Sequence, residues 1–148
     1  MNIRKTFIVS TCIVIAGLAS PFSGDLAHAL GLKSLAFALW KPWADAGNAM
    51  AENNLGSAYA NGDGVQQNFA EAVKCFRNAA DRGLAESQLN LAIAYAQGNG
   101  VQQDYGKAFT LLSKAADQDN SSAKMKLGIA YANGLGVTQD KAKAASLW

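Results

Sequence analysis

The chain of 148 residues carries 13 basic and 11 acidic side chains, which gives a net charge of +2. So small a charge provides no basic surface of the kind that binds nucleic acid or an anionic membrane. The sequence also holds one histidine and two cysteines, too few for the His and Cys sets that usually bind zinc. We therefore expect no nucleic-acid partner, no metal and no cofactor.

The first 29 residues have the pattern of a secretory signal peptide. Arg4 and Lys5 precede an apolar run over residues 6–19, and Ala27-His28-Ala29 has small residues at the two positions that a signal peptidase recognises. The run is shorter than the ~20 residues that span a bilayer, which favours export over a permanent anchor. We expect cleavage after Ala29 and a periplasmic or secreted protein with no membrane span once the signal is removed. Residues 20–24 offer an earlier cleavage site, and an uncleaved amphipathic segment is the alternative.

Cleavage after Ala29 would also change the chemical inventory. It would leave 11 basic and 10 acidic residues, no histidine, and Cys75 as the only cysteine. Without an imidazole, neither a Ser-His-Asp nor a Cys-His site can form, so we expect no catalytic residues. Cys75 is expected to be a half-buried helix residue, and a reactive thiol or an intermolecular disulfide is the alternative.

One phrase occurs three times after residue 50. It begins at Leu55, Leu91 and Leu127, which are 36 residues apart, and each copy ends in the pattern Gly-x-Gly-Val. A period of this size marks an array of stacked repeats, each of which buries its apolar face against a neighbour. The chain is accordingly divided into a signal peptide (1–29), a half repeat that supplies a second helix (30–47), two full repeats (48–83 and 84–119), and an incomplete repeat (120–148).

Each repeat is predicted to form two helices separated by a glycine loop. Gly62-Asp63-Gly64 is similar to the start of a phosphate-binding loop, but it lacks the third glycine, no strand precedes it, and it recurs in every repeat. We therefore interpret the first glycine as a helix end and the second as part of the chain reversal. Asn68, Asp104 and Asp140 are predicted to cap the second helices.

The repeated pattern resembles the Sel1-like repeat, a relative of the tetratricopeptide repeat. The matching features are Leu-Gly-x-x-Tyr, then Gly-x-Gly-Val, then an acidic residue, an alanine, an aromatic residue and Ala-Ala, over about residues 32–148. The resemblance implies an all-α fold, an α/α right-handed superhelical solenoid of helix-turn-helix repeats with period 36. It also implies a concave groove, lined by the first helices, that binds a protein or peptide partner.

If the resemblance holds, the first helices supply the groove residues. The candidates are Asn53, Asn54, Ser57, Leu89, Asn90, Ile93, Met125, Lys126 and Ile129. The first repeat offers polar side chains and the later repeats more apolar ones, which suits an amphipathic partner helix. The alternative is that the apolar members pack between repeats instead.

Two further possibilities follow from the sequence. Some cysteine-rich relatives of this family have been credited with β-lactam binding or hydrolysis, so an envelope enzyme is the second function class, although the paired cysteines are missing here. The chain stops at Trp148, before the Ala-Ala that closes the other second helices. Leu147 and Trp148 could then be exposed and support self-association through this end.

Overall fold

The computed structural model describes residues 22–147, and all regular secondary structure in that part of the chain is helical. The helices are α1 (Phe22–Ala29), α2 (Lys33–Asp45), α3 (Ala49–Asn61), α4 (Phe69–Asp81), α5 (Ala85–Gln97), α6 (Tyr105–Ala116), α7 (Ser121–Asn133) and α8 (Lys141–Ser146). Their principal contacts join helices that follow one another in the chain. This nearest-neighbour packing is that of a solenoid in which each helix pair stacks on the next.

The second helices begin at the residues predicted to cap them. The side-chain oxygen of Asn68 accepts the N–H groups of Ala70 and Glu71, at 3.1 and 3.2 Å. Asp104 and Asp140 accept equivalent bonds in the next two repeats, each at 2.9 Å. These bonds satisfy N–H groups that have no partner inside the helix, so the prediction of all three caps is confirmed.

The glycine loop between the two helices has a role beyond reversing the chain. Gly98 ends α5 in the left-handed conformation, as predicted, with a φ of 73°. Gly100 has a φ of 70° and lies directly against the main chain at Phe69 and Ala70, where α4 of the preceding repeat begins. A side chain at Gly100 would overlap the Phe69 carbonyl group. The second glycine therefore allows each loop to pack against the main chain of the previous repeat.

The core consists of one large side chain per second helix, covered by a small residue from the first. Phe76 of α4 is buried beneath Gly56 of α3, and a Cβ atom at Gly56 would overlap the phenyl ring. Leu112 of α6 is buried at the equivalent position in the next repeat, where α5 contributes Ala92. Close approach of this kind brings the two helices of a pair together and excludes water from the aromatic or aliphatic anchor.

The N-terminal helix α1 lies within the segment predicted to be a signal peptide. Residues 1–21 are outside the described part of the chain, whereas Phe22–Ala29 form α1, which packs against α2. Residues 30–47 are predicted to supply only the second helix of a repeat. Helix α2 occupies the position of such a second helix, with Trp40 buried at the place equivalent to Phe76. Cleavage after Ala29 stays a prediction.

Candidate binding groove

A row of three pockets runs along the first helices, and we call this row the groove. Each pocket is lined by both helices of one pair and by the first helix of the next. The N-terminal pocket, of about 190 Å³, lies among α1, α2 and α3. The middle pocket, of about 300 Å³, lies among α3, α4 and α5, and the C-terminal pocket, of about 180 Å³, lies among α5, α6 and α7.

The three pockets have equivalent linings but different polarity. The loop after each first helix contributes one residue, and these residues, Asp63, Asn99 and Leu135, are 36 apart. Their side chains change from a carboxylate through an amide to an aliphatic group. The groove thus carries two carboxylates at its N-terminal end and has its most apolar lining at its C-terminal end.

Two aspartates dominate the N-terminal pocket. Asp25 accepts hydrogen bonds from Nε1 of Trp40 at 2.8 Å and from Nδ2 of Asn54 at 2.7 Å. Asp63 forms an ion pair with Lys33, and its other carboxylate oxygen lies 3.9 Å from Nε2 of His28. The hydrogen bond from Lys33, aided by the charges of Lys33 and His28, holds the pKa of Asp63 below its usual range. Both carboxylates are therefore engaged with neighbouring groups.

The middle pocket combines polar and apolar surface. Ser57, Asn90 and Ile93 are half-buried on the first helices. Asn90 donates to the side-chain oxygen of Asn53 at 3.1 Å, and this bond fixes the orientation of its amide. Phe69 of α4 is partly exposed at the pocket and adds aromatic surface.

The C-terminal pocket is mainly apolar. Phe109 of α6 lies edge to face with Tyr131 of α7, with the ring centroids 5.3 Å apart. Ile129 is 42% exposed and lines the same pocket, together with the half-buried Lys126. This surface is suited to a ligand that places an apolar side chain in the pocket and a hydrogen-bond acceptor near the Lys126 ammonium group.

The structure brings six of the nine predicted groove residues into the pockets. These are Asn54, Ser57, Asn90, Ile93, Lys126 and Ile129. The remaining three occupy another face of the first helices. Asn53 is 5% exposed and accepts from the Ser87 hydroxyl at 2.8 Å, and Leu89 is 9% exposed in the core. Met125 is exposed but lines none of the three pockets.

For Asn53 and Leu89 the physical reason is that both side chains face the next repeat. Asn53 meets α5 through Ser87 and Asn90, and Leu89 joins the cluster that holds Ala123 and Leu127 of α7. Asn53 and Leu89 are therefore not available to a ligand, and for Leu89 the structure shows the core packing that was the alternative. Met125 is exposed, and its part in binding stays a prediction. Side chains of the second helices and of the loops also line the pockets and were not predicted. For the loops the sequence held a signal, because the same period of 36 places Asp63, Asn99 and Leu135 at one position.

The remaining chemistry of the described residues is limited. Within residues 22–147, no group of three or more His, Cys, Asp or Glu side chains is placed to hold a metal ion. Cys75 is half-buried, and burial, with the nearby Glu71 carboxylate, raises the pKa of its thiol to about 11. No helix in this part of the chain is long and apolar enough to cross a membrane. Trp148 is outside the described residues, so self-association through this end stays a prediction.

The comparison with family models matches the Sel1 repeat at residues 49–84, 85–120 and 121–148, each starting one residue later than the boundaries predicted from the sequence. A Sel1 repeat protein from Oxalobacter formigenes is 33% identical with a TM-score of 0.74, and the match covers 78% of this chain and 47% of that one. A protective antigen of uropathogenic Escherichia coli that displays an SLR fold is 36% identical with a TM-score of 0.75, over 84% of this chain and 29% of that one.

This chain thus spans less than half the length of either solved relative. No curated protein matches the sequence. The family-model match covers most of the chain, and the helix pairs, caps and glycine loops described above recur with its period. The predicted all-α superhelical solenoid is confirmed, and the chain belongs to the Sel1 repeat family.

Proposed function

We propose that this protein is an exported, non-catalytic interaction module whose groove binds a peptide segment of a protein partner. Sel1 repeats are in general protein-interaction modules, so a protein partner is the family expectation. The observation that carries the proposal is the row of three equivalent pockets along α1, α3, α5 and α7. Pockets repeated at one period suit an elongated ligand that places successive side chains into successive pockets.

The polarity of the groove specifies the ligand further. The C-terminal pocket, with Phe109 and Ile129, suits a large apolar side chain, since burying one contributes ~1.5–3 kcal/mol. The middle pocket offers the amide of Asn90 and the hydroxyl of Ser57 for hydrogen bonds. The N-terminal pocket, where Asp25 and Asp63 are already engaged with neighbouring groups, suits a polar group. The ligand is therefore an amphipathic segment with an apolar anchor at one end.

Export is the second part of the proposal. It is supported by the basic residues and the apolar run at the start of the sequence, which are typical of a secretory signal. The partner would then be a periplasmic or extracellular protein. For the enzymatic alternative, β-lactam hydrolysis, no supporting observation exists.

The test compares one groove variant with one matched control. Ile129→Glu adds a charge to the C-terminal pocket at a side chain that is already 42% exposed, so the fold is expected to survive. Met50→Glu adds the same charge in the first turn of α3, at a side chain that is 54% exposed and outside the groove. Leu89 is unsuitable because a glutamate there would enter the core.

The exported wild-type chain and both variants are used to capture partners from a cell-envelope extract, after circular dichroism has shown that they are folded. We expect a partner that wild type and Met50→Glu retain and Ile129→Glu loses. Overlapping peptides of that partner are then titrated against the wild-type chain. A partner held equally by all three chains would place binding outside the groove and refute the proposal.

A further inference from the structure

We propose that α1 is the first helix of a complete N-terminal repeat in the mature protein, and that signal peptidase cleaves after Ala19. This inference rests on the proposed export, and it departs from cleavage after Ala29. It makes the groove one repeat longer than the family-model match, which begins at residue 49.

The packing of α1 on α2 repeats that of α3 on α4. A Cβ atom at Gly24 would overlap the indole ring of Trp40, just as one at Gly56 would overlap the ring of Phe76. Trp40 and Phe76 are one period apart, and both are buried. In the sequence, Gly24 is four residues closer to Trp40 than Gly56 is to Phe76. The reason is the connection between the two helices of each pair. Up to the residue before the second helix, it consists of residues 30–31 in the first pair and of residues 62–67 in the next. The shorter connection breaks the sequence period and leaves the packing unchanged.

Polar and apolar contacts both depend on α1. Asp25 accepts the indole N–H of Trp40 and also the amide of Asn54 on α3, so one carboxylate joins three helices. Ala27 is 5% exposed and belongs to the same cluster as Trp40, whose own side chain is 4% exposed. Removing α1 would uncover a tryptophan and take away the hydrogen-bond partner of its N–H group. Both changes are unfavourable.

The groove provides an independent argument. Asp25 and His28 line the N-terminal pocket from α1, as Ser57 and Ala60 line the middle pocket from α3. His28 lies one helical turn after Asp25, and Ala60 lies one turn after Ser57. Asp25 and Ser57 each directly follow the glycine that covers the buried aromatic ring of their repeat. A chain that began at Leu30 would lack the wall that Asp25 and His28 contribute to this pocket.

An earlier cleavage site is present in the sequence. Gly17-Leu18-Ala19 places small residues at the two positions that a signal peptidase recognises, at the end of the apolar run. Cleavage there leaves Ser20 as the first residue, two residues before α1. The folded repeat would then be complete after processing.

The direct test is the N-terminal sequence and intact mass of the protein exported from the full-length gene. We expect Ser20 as the first residue. A chain that starts at Leu30, or within α1, would overturn the inference while leaving export intact. Recovery of only an uncleaved, cell-retained chain would refute both the processing site and the proposed export, so the two failures are distinguishable.

Paired variants test the cleavage site and the role of α1 separately. Ala19→Gln is expected to impair processing, and Ala29→Gln, at an exposed residue, is expected to leave the mature N-terminus unchanged. In the exported protein, Asp25→Ala is expected to lower Tm by on the order of 5 °C. The control Asp45→Ala, which removes an exposed carboxylate paired with Lys41, is expected to change Tm little. An unchanged Tm for Asp25→Ala, or blocked processing of Ala29→Gln, would contradict the inference.

Discussion

The two glycines of one loop offer a sharp test of how the repeats stack. Both Gly98 and Gly100 have a left-handed backbone, with φ of 73° and 70°. An added Cβ at Gly98 would find its nearest neighbour, the Cβ of Gln103, at 3.4 Å, which is close to ordinary contact. An added Cβ at Gly100 would overlap the main chain of the preceding repeat at Phe69. The replacement Gly98→Ala therefore perturbs only the backbone conformation, whereas Gly100→Ala also forces two repeats apart.

The magnitudes follow from these two contributions. An alanine in the left-handed region costs ~1–2 kcal/mol, so Gly98→Ala is expected to lower the free energy of unfolding by about that amount. The overlap at Gly100 involves a main-chain carbonyl and cannot be relieved by rotating a side chain. Overpacking of this kind adds ~1–3 kcal/mol, so Gly100→Ala is expected to cost ~2–5 kcal/mol in total.

The assay is urea denaturation of both variants followed by far-UV circular dichroism. The pair Gly62→Ala and Gly64→Ala provides a replicate in the preceding loop, because Gly64 lies against the main chain of Lys33 in the same way. If the two glycine variants of a loop lost equal stability, within ~0.5 kcal/mol, the loop would not be packed against the previous repeat. The explanation of the Gly-x-Gly pattern given above would then be wrong.

Three further predictions concern the core, a helix cap and the thiol. Leu91→Ala removes a side chain that is 4% exposed and is expected to cost ~2–5 kcal/mol in the same assay; a loss below ~1 kcal/mol would show that Leu91 is not part of the core. Asn120→Ala deletes the oxygen that accepts the N–H of Ala123 at 2.9 Å and is expected to cost ~1 kcal/mol, and an unchanged stability would contradict this. Because burial raises the pKa of Cys75 to about 11, the folded thiol has about 100-fold less thiolate at pH 8 than the urea-unfolded chain, and the higher nucleophilicity of a more basic thiolate offsets about 10-fold of this. The folded thiol is therefore expected to react about 10-fold or more slowly. The comparison uses a Cys12→Ser background, and equal rates would show that Cys75 is accessible.

The repeat period and the helical spacing of the apolar residues were sufficient to predict a solenoid of helix pairs and its caps, whereas the superhelix was implied by the resemblance to the Sel1-like repeat. Residues 36 apart occupy equivalent places in the backbone, so a pattern seen three times identifies helix ends, loops and core anchors together. Asn68, Asp104 and Asp140 could be assigned as caps because each is an Asn or Asp at the same place in the phrase.

The sequence could not predict which face of the first helices forms the groove. Asn53 and Asn54 are neighbours in the chain but leave the helix in different directions, and the rotation of the helix against the next repeat decides which of them a ligand can reach. Asn53 is polar and was assigned to the groove, yet it is buried between α3 and α5, where Ser87 and Asn90 donate hydrogen bonds to its side-chain oxygen. A buried polar pair between helices leaves no apolar signal in the sequence.

The same limit explains why α1 was not recognised as part of the solenoid. The short connection before α2 shifts Gly24 out of the 36-residue register, so its equivalence to Gly56 is visible only in the packing on Trp40. The signal-peptide pattern also extends over these residues, since Ala27-His28-Ala29 satisfies a rule about small side chains regardless of fold.

The two junctions between the Sel1 repeats are chemically distinct, and this difference specifies the order of stacking. The junction of α3 with α5 pairs Asn53 with Ser87 and Asn90, whereas the equivalent positions between α5 and α7 are Leu89, Ala123 and Lys126. If α7 docked on α3, Ala123 would replace the hydroxyl that donates to Asn53. A buried polar group left without such a partner costs ~1–3 kcal/mol. In the native order every buried side-chain nitrogen and oxygen atom of residues 22–147 has a partner. The polar pair at the first junction thus favours the stacking of α5, rather than α7, on α3.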